Sequence, residues 1–264
     1  LIVGIGLFYY FGIYKAEPYK RPSDIITLRN GYIISAPVYN EFESLNTLQP
    51  TEPRTEESPI NGLLFTKTEM KELETRRPVA VMINNHAAAR PQSGLNSTDL
   101  VYEVLVESGI TRYMGIFWSE APEKVGPIRS ARQYYLEWLS PYDPLYIHDG
   151  CASSEDVRVD ACGNIYSYEI KDIRTIGAWR WNDGTRYAPH NEYSSITNAW
   201  EYSETVNWDG MPEIDEWDFK ADAKSSDRGE GLKVEISFHN RLTNSGLYDT
   251  AWIYDKKSNS YFRE

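Results

Sequence analysis

The sequence predicts an α/β or α+β fold, a mixed β-sheet with flanking helices. Three patterns carry that expectation. Residues 79–83 (VAVMI) form an unbroken apolar run between Pro78 and Asn84-Asn85, the signature of a buried central strand. Residues 99–107 alternate, with Tyr102, Val104 and Val106 on one face and Glu103, Leu105 and Glu107 on the other. The chain then turns at Ser108-Gly109 and returns along 112–118, which makes a hairpin. Residues 130–139 place Ala131, Tyr134, Tyr135 and Trp138 at helical spacing, with Pro141 beyond the end.

The elements follow in chain order. Residues 1–14 carry no charge, too short a run for the ~20 residues that span a bilayer. Tyr9, Tyr10 and Tyr14 then precede Lys15, Lys20 and Arg21 in the manner of an aromatic and basic membrane boundary. Residues 1–21 are therefore expected to be a membrane anchor, the outer part of a single transmembrane helix; the alternative is the apolar core of a signal peptide. Residues 22–45 read as a β-hairpin segment around Asn30-Gly31. Residues 46–62, rich in Pro, Thr and Glu, read as a spacer.

The main domain is expected over 63–208. It opens with a helix at 67–77 that Pro78 ends, and adds a short strand at 145–148 running into Asp149-Gly150 and a helix at 153–161. Residues 209–231 form an acidic linker. Residues 232–264 begin a C-terminal β unit, with strands at 233–239 and 248–254 and a third, cut short, from Tyr261.

Composition narrows the function classes. A hydrophobic fraction of 41% over 264 residues is enough for a core and excludes wholesale disorder. The net charge of -12 argues against nucleic acid as the main partner, because phosphate binding needs a basic surface. The 20 Tyr and 8 Trp serve as packing in a β-rich domain; stacking on sugars or filling an interface is the alternative. Cys151 and Cys162 either close one loop outside the cytoplasm or remain two buried thiols. Neither has a zinc-type context, and no metal or cofactor is expected.

Committed polar residues concentrate between Asn84 and Arg132. Glu103 and Glu107 suggest a carboxylate pair, but four strand residues at ~3.3 Å place them about 13 Å apart, too far for glycosidase geometry. Each can act singly with an arginine, and Arg112 faces them across the hairpin. Gly126-Pro127 leads into the predicted helix, so Arg129 and Arg132 share nearly one face at its start. Two cations oppose the helix dipole there unless an anion binds; the alternative is a structural network with Glu103 or Glu107. His86, His148 and His190 follow strand ends or Pro, flanked by Asn84 and Asn191, and converge if those ends share one sheet edge. They are candidate acid–base residues. His148 and Asp149 are neighbours on a strand and do not make a triad. Ser93, Ser97 and Ser130 lack a nucleophile elbow, and His239 reads as structural.

Five segments together resemble the YerB-like lipoproteins, a bacterial envelope family built on a domain of unknown function. They are Arg77-Pro-Val-Ala-Val-Met-Ile-Asn-Asn-His86, Ala89-Arg-Pro-Gln-Ser-Gly-Leu95, Val101-Tyr-Glu-Val-Leu-Val-Glu107, Pro122-Glu-Lys-Val-Gly-Pro-Ile-Arg-Ser-Ala-Arg132 and Ala188-Pro-His-Asn191. The resemblance covers about residues 63–200 and implies an extracytoplasmic, membrane-tethered bacterial protein on the cytoplasmic membrane. It carries over no catalytic role. The chain departs from the family in having no lipid-attachment Cys near its start, where a membrane helix would take the lipid's place.

The sequence thus leads to an envelope protein that binds an anionic ligand, a phosphorylated or carboxylated glycan or lipid-linked precursor. Arg129 and Arg132 would grip the anion, Arg112 would assist, and Glu103 and Glu107 would orient the arginines. Whether it is an enzyme stays open; a hydrolytic step would use one of the histidines. The rival is a non-catalytic accessory subunit or scaffold of a membrane protein complex.

Overall fold

Burial on both faces marks the central strands. Every residue of β5 (Val79–Asn84) and of β7 (Thr111–Phe117) is buried, so each face of the sheet needs a covering layer. The computed structural model describes residues 52–215, 217–231, 233–238 and 246–264, with the backbone of β1 (Ile25–Thr27) and β2 (Ile33–Ser35). The remaining strands are β3 (Glu56–Glu57), β4 (Leu64–Phe65), β6 (Leu100–Leu105), β8 (Leu145–Ile147), β9 (Lys171–Asp172), β10 (Trp179–Arg180), β11 (Glu192–Tyr193), β12 (Lys233–Ile236), β13 (Thr250–Asp255) and β14 (Ser260–Arg263). The helices are α1 (Lys67–Leu73), α2 (Gln133–Leu139), α3 (Ala161–Ser167) and α4 (Ile196–Thr205).

The class is mixed α+β, with several sheets and few helices. The main sheet has five strands in the order β6-β7-β5-β8-β9. β5 runs antiparallel to β7, with Asn84 opposite Arg112, and parallel to β8, with Val79 opposite Leu145. Side-chain alternation then divides the core in two. On one face Met82, Met114 and Tyr146 meet Leu73 of α1, Tyr135 of α2 and Ile165 of α3. On the other, Val81, Ile83 and Ile147 meet Ile128 and Ile196 and Ala199 of α4. Each fully buried aliphatic side chain contributes about 1.5–3 kcal/mol, so both layers hold the sheet.

The helix expected over 67–77 ends at Leu73 and not at Pro78. Two more helices differ from expectation for local reasons. The helix expected over 130–139 starts at Gln133. Upstream, Arg129 N–H donates to Met82 O at 2.9 Å and Ala131 N–H to Gly150 O at 2.9 Å, so the backbone is already paired sideways. Arg129 and Arg132 are therefore not on a shared first turn; Arg132 is the residue before it. The helix expected at 153–161 is a turn segment, and α3 begins where it should have ended. Ser154 Oγ accepts the N–H of Asp156, and Asp156 Oδ1 that of Arg158, local bonds that compete with a helix. Cys151 and Cys162 are joined in a disulfide around this turn.

Folding extends beyond the expected edges of the main domain. Glu52 accepts from the backbone and hydroxyl of Thr68, and Arg54 pairs with Glu69, so part of the expected spacer lies against α1. After α4, Gly210 and Met211 donate to the carbonyls of Thr75 and Glu74. Phe219 then covers Gly62, where a Cβ would sit 2.5 Å from the ring and φ is +70°. β12, β13 and β14 form a separate antiparallel sheet. β1 and β2 pair antiparallel, with Thr27 opposite Ile33. The expected anchor at 1–21, the Asn30-Gly31 turn and His239 lie outside the described residues. Among the described residues no helix is long and apolar enough to cross a membrane.

Candidate functional site

β5 and β8 run parallel to Val81 and Ile147 and then part. Residues 126–131 enter the gap. Asn84 N–H donates to Pro127 O at 2.8 Å, and Asp149 N–H to Arg129 O at 3.2 Å. A crevice at the carboxyl ends of parallel strands is where such sheets gather ligand-binding side chains. Gly126 permits the entry: its φ is +142°, and a Cβ would lie 2.8 Å from Glu192 O.

Three arginines, Arg112, Arg129 and Arg132, cluster here. Arg112, only 6% exposed, donates from Nη1 to Ser130 O at 2.5 Å. Burial, followed by the charges of Arg132 and Arg129, pulls its pKa down to about 10. Arg132 forks onto Glu107, with Nη2 at 2.9 Å from Oε2, and holds that carboxyl below the usual range. Arg129 is half-buried, and its guanidinium has no hydrogen bond or ion pair among the described residues. Among the described residues Glu107 is thus paired with Arg132, and its charge also reaches Arg112.

Two of the three histidines reach this end of the sheet together. His86 and His190 stack, with ring centroids 4.5 Å apart and planes 17° from parallel. Asn84 Oδ1 accepts the N–H of His86 at 2.9 Å, which assigns Asn84 Nδ2 as the donor to His190 Nδ1 at 3.0 Å. Neutral His190 therefore carries its proton on Nε2. Burial, then His86, then Arg129 lower its pKa. His148 is elsewhere: fully enclosed, with Nδ1 2.7 Å from Gly150 O and Nε2 3.0 Å from Asp172 Oδ1. Burial opposes ionisation of Asp172, yet hydrogen bonds from His148 and Arg174 hold its carboxyl below the usual range.

Glu103 belongs to a different network from Glu107. It accepts from Thr111 Oγ1 at 2.8 Å and from Arg263 Nη2 at 3.0 Å. Asn85 joins in, donating to Thr111 Oγ1 at 2.6 Å while its Oδ1 accepts from Arg90 and Gln92. Each carboxylate is thus committed to its own arginine.

A group that sequence reasoning missed completes the crevice. Arg180 Nη2 lies 2.6 Å from Glu192 Oε2 and 3.6 Å from Asp149 Oδ2, so one guanidinium clamps two carboxyls. Burial, and then the hydrogen bond and charge of Asp149, push Glu192 up to about 7. Asn191 is occupied beside them, accepting from Arg180 and donating to Asn182. The only available signal was position: Asp149 and Glu192 each follow a residue already singled out, in a chain with 39 acidic residues. Among the described residues no group of three or more His, Cys, Asp or Glu is arranged to hold a metal ion.

Comparison with known proteins assigns the family. The family described as "Protein of unknown function (DUF3048) N-terminal domain" matches residues 65–209. The chain belongs to this family. "Putative lipoprotein YerB" of Bacillus subtilis (strain 168) is 35% identical over 207 residues, covering 78% of this chain and 59% of the relative's length. The chain thus spans less than two thirds of that protein. The crystal structure of the YerB protein from Bacillus subtilis superposes with a TM-score of 0.64 at 30% identity, covering 80% of this chain and 67% of that one. The family match over residues 65–209 holds the crevice from Asn84 to Glu192, whereas Arg263 lies beyond that match.

Proposed function

We propose that this chain is a membrane-tethered envelope protein whose crevice between β5 and β8 binds an anionic group. The ligand class is a phosphorylated or carboxylated glycan or a lipid-linked precursor. One observation carries the reading: among the described residues the half-buried Arg129 guanidinium has no hydrogen bond or ion pair, and it lies near Arg112 and Arg132, of which Arg132 is paired with Glu107. Partly desolvated like charges repel, and a bound anion turns that repulsion into attraction. Arg129 grips the anion, Arg112 and Arg132 supply the field, Glu107 orients Arg132, and His190 offers Nε2–H. If the ligand is also cleaved, His86 or His190 is the acid–base residue, because His148 is enclosed.

The location rests on two supports. The Bacillus relative is named a lipoprotein, and a disulfide persists in oxidising compartments outside the cytoplasm.

The test is a binding titration by calorimetry with pyrophosphate, a sugar phosphate and a uronic acid, comparing wild type with Arg129→Ala. Loss of one charge-assisted contact of ~1.5–3 kcal/mol predicts about 10- to 100-fold weaker binding. Equal binding by both proteins, or none by either, removes the proposal. The accessory-subunit reading draws on the exposed Trp179, Tyr187 and Trp217. It gains if Arg129→Ala is silent and the membrane-bound protein co-purifies at fixed stoichiometry with one complex.

A further inference from the structure

A groove of about 380 Å³ lies against α1, apart from the crevice. Its lining mixes carboxylates with apolar side chains, among them Met70, Trp118, Met211 and Ile214. Residues 56–59 of the β3–β4 hairpin form one wall, and residues 211–214 with Trp217 form the other. Phe219, seated on Gly62, and Met211, bonded to the carbonyl of Glu74, fix the second wall in place.

The carboxylates around this groove fall into two kinds. Glu69 and Glu72, on the same helix, are paired with Arg54 and Arg76. Of the carboxylates that line the groove, Glu56 accepts from Thr55 Oγ1 at 2.8 Å, whereas Glu57, Glu74 and Glu213 are exposed and have no hydrogen bond or ion pair to their side chains among the described residues. Arginine is thus close at hand, but it serves the carboxylates that face away.

We propose that this groove docks a basic, amphipathic segment of a partner protein. Its Lys or Arg side chains meet Glu57, Glu74 and Glu213, and its apolar side chains rest on Met70, Met211 and Ile214. Covering three carboxylates with a neutral or acidic surface leaves them desolvated and unpaired, which is costly. A cation carried on a side chain avoids that cost and brings apolar surface with it. Met70 and Met211 suit such contacts because a flexible thioether adapts to different apolar partners. The proposal is independent of the anion reading, since none of these residues touches the crevice.

The probe is a fluorescein-labelled twelve-residue peptide of Lys and Leu at helical spacing, with a Glu-for-Lys peptide as its control, followed by fluorescence anisotropy. An acidic protein attracts any basic peptide, so two triple variants of equal net charge are compared. Glu57→Lys/Glu74→Lys/Glu213→Lys changes the groove, and Glu137→Lys/Glu155→Lys/Glu201→Lys changes exposed sites elsewhere. The groove variant should weaken binding at least tenfold, and the matched variant should stay within twofold of wild type. A neutral triple, Glu57→Gln/Glu74→Gln/Glu213→Gln, checked by circular dichroism, guards against misfolding and should also weaken binding. Equal loss in both charge-reversed variants, unchanged binding in the folded Gln triple, or equal binding of the Glu peptide overturns the proposal.

Discussion

At the scale of single residues, the unusual feature is Arg129, a guanidinium kept near other arginines without a counter-ion among the described residues. Such a residue works against stability in the free protein. Arg129→Ala is therefore expected to leave the melting temperature unchanged or raise it slightly while abolishing anion-induced stabilisation, as a thermal-shift titration would read. A structural arginine would do the opposite and lower it. His190 adds a pH dependence. Its folded pKa lies below the unfolded value, so the native state binds fewer protons there and stability falls as pH drops through this window. A bound anion reverses the bias by favouring the imidazolium. Affinity for sulfate, whose charge is constant over this range, should rise from pH 7.5 to 5.5, and His190→Ala should flatten the profile.

At the scale of elements, Asp99 joins the start of β6 to the end of β7. It accepts from the N–H groups of Trp118 and Ser119, from Ser119 Oγ and from Asn61 Nδ2. Burial raises its pKa despite these donors. Asp99→Ala leaves them without their acceptor and should cost ~3 kcal/mol in urea unfolding, with Asp99→Asn milder. A loss under 1 kcal/mol for the Ala variant would show that water replaces the carboxylate. The strands were the most legible elements. The run from Val79 and the alternation of Tyr102, Val104 and Val106 reflect burial, which leaves a period in the sequence. The start of α2 was not legible, because the bonds that hold Arg129 and Ala131 extended come from Met82 and Gly150, distant in sequence.

At the scale of the whole molecule, the disulfide closes an eleven-residue separation, joining the segment after β8 to the first turn of α3. Chain-entropy arguments give about 2–3 kcal/mol for a loop of this length. Cys151→Ser/Cys162→Ser should lower stability to chemical denaturation by that amount; an unchanged midpoint would make the bridge energetically idle. Further along the chain, Arg263 of β14 bonds Glu103 of β6 at 3.0 Å and links the C-terminal sheet to the main one.

By itself the sequence determined the mixed class, the central strands and the resemblance to the family, because buried periodicity and local motifs are written in neighbouring residues. It also singled out the arginines and histidines as candidates. Their grouping was decided only in three dimensions. Tertiary structure set His86 against His190 and enclosed His148 with Asp172. It gave Glu107 and Glu103 separate arginines, and clamped Asp149 to Glu192 through Arg180. The physical reason is that partner choice among charges depends on distances of a few ångströms, and the path of residues 126–131 between β5 and β8 sets those distances.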